Sequence, residues 1–163
     1  DAMMTVFCST SRWLARVEDP LPRVALHDHG WGRALSGLAL QFAHEPLLAA
    51  HLPDRLLCSP AVRCYSTALA LVQGLGIEED RLQLLPELYE AEGEALWQLL
   101  RKKAMAARSQ CCWLVSHSPG LDQLVELLTG EDGHKVATGQ ITVLQSTSWL
   151  PGQYQISASW KPR

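Results

Sequence analysis

Cys111-Cys112-Trp113-Leu114-Val115, followed by Ser116-His117-Ser118-Pro119-Gly120, is the stretch on which the reading of the chain turns. A short, continuous apolar run that stops at a cluster of turn residues predicts a strand buried on both faces. The Ser-Pro pair that follows predicts a helix start, with a hydroxyl cap and proline in the first turn. Leu121, Leu124, Val125 and Leu128 then recur at helical spacing, and Gly130 stops the pattern. A buried strand feeding a helix through a polar turn is the repeating half of an α/β sheet.

The same grammar recurs outward from this point. Arg55-Leu-Leu-Cys58 is a second strand, Ser59-Pro60 a second helix start, and Val62, Tyr65, Leu69 and Val72 the helix's inner stripe, closed by Gly74 and Gly76. Met4 to Cys8 is a first strand. Residues 13–28 carry two prolines and no period, which predicts a loop. Trp31, Leu35, Leu38 and Phe42 form one stripe of a helix from Gly30 to Ala50, interrupted at Pro46. Arg81 to Leu85 reads as a strand. A helix from Gly93 to Ala107 has Glu92 and Glu94 at its start and Arg101, Lys102 and Lys103 later, as the helix dipole favours. Ile141 and Val143 alternate with Thr142, and Tyr154, Ile156, Ala158 and Trp160 alternate with polar residues, with Pro151-Gly152 as the turn between. The order β-α-β-α-β-α-β-α-β-β predicts one domain over residues 1–163. Its fold class is a three-layer α/β/α sandwich with a mostly parallel central sheet and a C-terminal antiparallel hairpin. Val6, Leu57 and Leu114 belong in adjacent or near-adjacent strands.

Composition narrows the function classes. Of 163 residues, 47% are hydrophobic and 19% charged, which supports a core and excludes a disordered tail. The net charge of −3 argues against nucleic acid and anionic membrane as partners. No apolar run approaches the ~20 residues of a membrane span, and no basic-then-apolar leader opens the chain. The 5 cysteines are odd in number and lack a framework spacing, so they read as reduced thiols in a cytoplasmic protein. His27-Asp28-His29 offers two imidazoles two residues apart with no third ligand, so neither a metal nor another cofactor is expected.

In open α/β sheets ligands bind beyond the carboxyl ends of the strands. Here those ends read Ser9-Thr10-Ser11-Arg12, then Ser59-Pro60 with Arg63 one turn on, then Ser116-His117-Ser118. Two helix N-termini, an arginine and a histidine at one edge suit an anion. Main-chain N–H groups face it, the guanidinium can bind two oxygens, and the imidazole can donate to a third. Each residue also has a plain structural reading: Arg63 as a surface ion-pair partner, and His117 as a hydrogen-bonded strand-end histidine.

The chain resembles the histidine phosphatase superfamily. Leu57-Cys-Ser-Pro-Ala-Val-Arg63 with Thr67-Ala68 is similar to that family's SSPxxRxxQTA segment. Leu114-Val-Ser-His117-Ser-Pro-Gly-Leu121 resembles its second-histidine motif, Leu85-Pro-Glu-Leu88 its LPEL segment, and Leu26 to Gly30 the start of its first long helix. Length and element order resemble the short phosphohistidine phosphatases of the SixA type over roughly residues 4–160. The resemblance implies a phosphoglycerate mutase-like fold, a phosphate pocket holding Arg63, His117, Ser59 and Arg12, and a phosphorylated protein such as a phosphohistidine signalling domain as partner.

The departure falls at the centre of the chemistry. The family places Arg-His-Gly directly after the first strand, where the histidine takes the phosphoryl group. This chain has Thr10-Ser11-Arg12 there. A serine hydroxyl is a poor nucleophile at neutral pH without a base beside it. The resemblance therefore implies a catalytically degenerate phosphatase fold that acts by binding. The alternatives are an active phosphatase with a substituted nucleophile, such as Ser11 paired with His117, or a rearranged first loop, and an interaction protein in which the pocket has no role. Glu87 and Glu90 are the acidic candidates near a strand end. Glu87 reads equally as a leaving-group acid and as a structural residue.

Overall fold

The computed structural model describes residues 3–8, 37, 39–105, 109–117, 119–136, 140–146 and 150–160, with residues 3–8, Val62, Arg63, Ala104 and Met105 described by their main chain only. Strands β1 (Met3–Cys8), β2 (Arg55–Cys58), β3 (Leu82–Leu84), β4 (Cys111–Val115), β5 (Ile141–Ser146) and β6 (Gln155–Trp160) form one sheet in the order β3-β2-β4-β1-β5-β6. β3, β2, β4 and β1 are parallel, whereas β5 runs antiparallel to β1 and β6 antiparallel to β5. The expected mostly parallel sheet and C-terminal hairpin are both present, and Val6, Trp113 and Leu56 lie in register across three neighbouring strands.

Helices cover both faces. The helical residues 39–43, the short α1 (Pro46–Ala49) and the long α2 (Val62–Leu75) lie on one side, α3 (Gly93–Leu100) and α4 (Gly120–Thr129) on the other. Strand alternation deals the residues between them. Leu56, Cys58, Trp113 and Val115 pack with Phe42, Tyr65 and Leu71, while Leu57, Cys112 and Leu114 pack with Leu96, Leu121 and Leu124. Full burial of such a side chain contributes about 1.5–3 kcal/mol.

Local chemistry moved several boundaries. The helical pattern toward Ala50 does break before Pro46, with the Glu45 carboxylate capping the Leu47 N–H. Its earlier part, with Trp31, Leu35 and Leu38, and the loop at 13–28 lie outside the described residues. β3 is shorter than Arg81–Leu85, because Glu79–Arg81 forms a 3-10 turn. The helix from Gly93 leaves α-geometry at Leu100 and continues as one π turn, Arg101–Met105. Neither Ser-Pro pair opens a helix as expected. Ala61 caps α2, with Ser59 Oγ accepting its N–H at 3.4 Å, and Pro119 itself occupies the cap position of α4. Gly76 alone ends α2, in the left-handed conformation, while Gly74 lies inside its last turn where the Ala39 main chain crosses. β5 does not alternate, since an inner strand is buried on both faces. A bulge opposite Val143 and Leu144 re-aims β6, so that Trp160 and Ala158 face one layer and Ile156 stays exposed on the edge.

Candidate functional site

Register brings three strand ends to one level. Val115 pairs with both Cys8 and Cys58, and Cys58 with Leu84. The chain leaving β1, β2 and β4 therefore emerges along one edge of the sheet. Ser59 extends the ladder by one rung, its N–H donating to Val115 O at 2.9 Å, and Leu85 N–H donates to Cys58 O at 3.0 Å. Ser59, Ser116 and His117 are all buried at this edge, His117 the least so at 7% exposed.

Arg63 is the second residue of α2, two residues beyond the cap. The first N–H groups of α2 to find a helical acceptor are those of Cys64 and Tyr65, both on Ala61 O. The opening turn ahead of them is the anion-favouring end of the helix dipole. The Arg63 side chain lies outside the described part of the structure, as do Thr10, Ser11, Arg12 and Ser118. His27 and His29 lie there too. Cys58, at the end of β2, is fully buried and its Sγ donates to Ser59 O at 3.1 Å.

His117 leaves β4 just before α4, and its carbonyl accepts the Leu121 N–H at 3.3 Å. Its Nε2 accepts the main-chain N–H of Glu90 at 3.1 Å. The sequence did not foretell this contact. Glu90 had suggested itself for its carboxylate, yet it meets the histidine through its backbone. Glu90 is also the non-glycine with positive φ (55°) among the described residues, and no glycine or asparagine marks the place. Glu87 stands exposed in the 3-10 turn Pro86–Leu88.

The Glu90 loop is closed on itself and, beyond Glu90, fastened to α4. Ala91 N–H donates to Leu88 O at 3.2 Å, and Gly93 N–H to Gln123 Oε1 at 2.8 Å. Gly120 and Gly93 make that approach feasible. A Cβ on Gly120 would run into the Ala91 carbonyl, and one on Gly93 would lie 2.5 Å from Gln123 Cβ. Among the described residues no group of three His, Cys, Asp or Glu is placed to hold a metal, and no helix is long and apolar enough to cross a membrane.

The parallel core, the antiparallel pair at its side and the helices on both faces constitute the fold of the histidine phosphatases, the phosphoglycerate mutase-like α/β arrangement. Solved structures share this fold. The protein histidine phosphatase SixA, in complex with tungstate, superposes with a TM-score of 0.70 at 17% identity, over 98% of this chain and 97% of that one. A protein described as the phosphohistidine phosphatase SixA of Agrobacterium tumefaciens gives a TM-score of 0.67 at 23% identity, over 99% and 98%. A mycobacterial glucosyl-3-phosphoglycerate phosphatase gives 0.60 at 12%, over 99% of both chains. No protein-family model and no curated protein matches the sequence.

Proposed function

We propose that this chain is a single SixA-like domain that binds a phosphate group, free or carried by a phosphorylated protein, and does not hydrolyse it. The observation that supports the reading is that Ser59, leading into the opening turn of α2, and Ser116-His117, leading into α4, follow the carboxyl ends of two adjacent parallel strands in register. Such an edge offers main-chain N–H groups, a guanidinium and an imidazole to a tetrahedral oxyanion. Tungstate has that shape, and a neighbour of the same fold is known in complex with it. Arg12, following β1, is the proposed second cation. A phosphohistidine segment is the favoured ligand because the fold's neighbours include phosphohistidine phosphatases. The reduced-thiol cysteines suit a cytoplasmic setting.

The degenerate chemistry follows from Thr10-Ser11, which stand where the family's arginine and nucleophilic histidine belong. Titration with phosphate and tungstate, followed by tryptophan fluorescence or NMR, tests the pocket. Incubation with p-nitrophenyl phosphate and with phosphohistidine tests the absence of turnover. Binding without turnover is expected. Hydrolysis that disappears in Ser11→Ala or His117→Ala would replace this reading with that of an active phosphatase, and silence toward every oxyanion would leave an interaction protein with no pocket function.

A further inference from the structure

We propose that Glu90 is a positioning residue for His117, and that its main-chain N–H locks the imidazole as the neutral Nδ1–H tautomer. The inference builds on the placement of His117 in the proposed phosphate site, but it concerns the ring's proton and not the ligand.

A main-chain N–H can only donate. With Glu90 N–H aimed at Nε2 from 3.1 Å, that nitrogen must offer its lone pair. A neutral imidazole has one lone pair and one N–H, so the proton resides on Nδ1. The second nitrogen is then a donor and the first is occupied. Nothing remains on the ring with which to take a proton from a hydroxyl. His117 is therefore a donor at Nδ1; it cannot serve as the base that a Ser11 nucleophile would need, nor accept a phosphoryl group on Nε2. The lock itself thus weighs against the Ser11–His117 alternative.

The geometry around Glu90 shows that its N–H is held there at a cost. A φ of 55° is strained for a residue with a Cβ and persists only where the surroundings over-determine it. They do so here: Ala91 N–H is tied to Leu88 O, Gly93 N–H to Gln123 Oε1, and the Ala91 carbonyl sits in the space that Gly120 leaves empty. His117 is held at its other end by β4 and by the start of α4. Donor and acceptor are thus fixed by two separate frames. The Glu90 side chain is exposed, so the carboxylate takes no part in the lock.

The test is NMR on the full ¹⁵N-labelled chain without added anion, with His117 assigned by its loss in His117→Gln. The expected pattern is pyrrole-type nitrogen at Nδ1, pyridine-type at Nε2, and a through-hydrogen-bond coupling between Nε2 and the Glu90 amide nitrogen. Glu90→Gln and Glu90→Gly should both keep the pattern, because the N–H and an accessible left-handed backbone remain. Glu90→Val should lose the coupling and average the two nitrogen shifts, since a β-branched residue resists that conformation. If Glu90→Val fails to fold, the wild-type coupling and the Glu90→Gln spectrum decide alone. An Nε2–H tautomer or averaged shifts in the wild type, or loss of the pattern in Glu90→Gln, would overturn the proposal. Subsequent addition of tungstate reads the other claim separately: a locked ring that no oxyanion perturbs retains the tautomer and removes the phosphate site.

Discussion

Replacing Gly120 with alanine should damage the site from behind, without touching any group that would meet a ligand. A Cβ at this position would run into the Ala91 carbonyl, with Leu96 Cδ1 at 3.1 Å on the other side. The loop has little freedom to retreat, because Glu90 and Gly93 are both tied to the start of α4 and the strand before it. Forcing a methyl into a packed place costs about 1–3 kcal/mol. Each hydrogen bond stretched as the loop backs off adds about 0.5–1.5 kcal/mol. Alanine returns at most about 1 kcal/mol through its better helix propensity. The net destabilisation is then about 1–3 kcal/mol, which for a chain of this length lowers Tm by about 2–12 °C. Urea unfolding followed by circular dichroism should show a lower midpoint with an unchanged slope. Gly37→Ala is the control: that helical glycine has nothing within 4 Å of a new Cβ and should be neutral or mildly stabilising. A Gly120→Ala protein within about 0.5 kcal/mol of wild type, the ordinary range for an unremarkable surface change, would show that the loop does not bear on α4.

Four further outcomes are expected. Arg63→Ala should weaken oxyanion binding by about 1.5–3 kcal/mol, a factor of roughly ten to one hundred and fifty, and an unchanged titration would remove Arg63 from the pocket. Thr10→Arg with Ser11→His, together with Arg12→Gly, should install phosphatase turnover that the wild type lacks; continued inactivity would mean that the pocket has decayed beyond its first pair. Burial pushes the Cys111 thiol up to about 11, and pushes Cys112 and Tyr154 up as well. The folded state therefore holds protons that the unfolded chain releases, so stability is complete below pH 9 and falls as pH rises toward 11; a flat profile over that window would contradict it. Trp113→Phe should cost about 1–3 kcal/mol, because the buried indole donates its N–H to His51 O at 3.0 Å, and an equally stable variant would show that bond to be dispensable.

Much of the architecture was legible because the deciding segments are short, apolar and sharply bounded. Cys111–Val115 and Arg55–Cys58 have the same limits in sequence and structure, since a strand buried on both faces needs no period to be recognised. Helix starts were less legible. A Ser-Pro pair can cap a helix, precede it by two residues or place proline at the cap, and only the tertiary path selects among these. That β1, β2 and β4 end along one edge, with Ser59 and Ser116 just beyond two of them, could be foreseen from topology. The Glu90 contact could not. It is made by a main-chain N–H, which every residue but proline possesses, in a conformation that glutamate seldom adopts. No side-chain pattern encodes such a contact; it arises from packing between Gly93, Gly120 and Gln123.

The position of β1 has a kinetic consequence. It lies inside the sheet, between β4 and β5, and Met4 pairs with Cys111 on one side and Gln145 on the other. Both neighbours are about a hundred or more residues distant along the chain, so closing these pairings spends loop entropy before any contact repays it. During synthesis β1 must wait, its edges unpaired, until β4 and then β5 have left the ribosome. The βαβ units built on β2, β3 and β4 can form meanwhile, leaving a slot that β1, made before them, fills late. Ser9, Thr10, Ser11 and Arg12 follow that strand directly in sequence, so the part of the proposed phosphate site assigned to them waits on β4 and β5 as well.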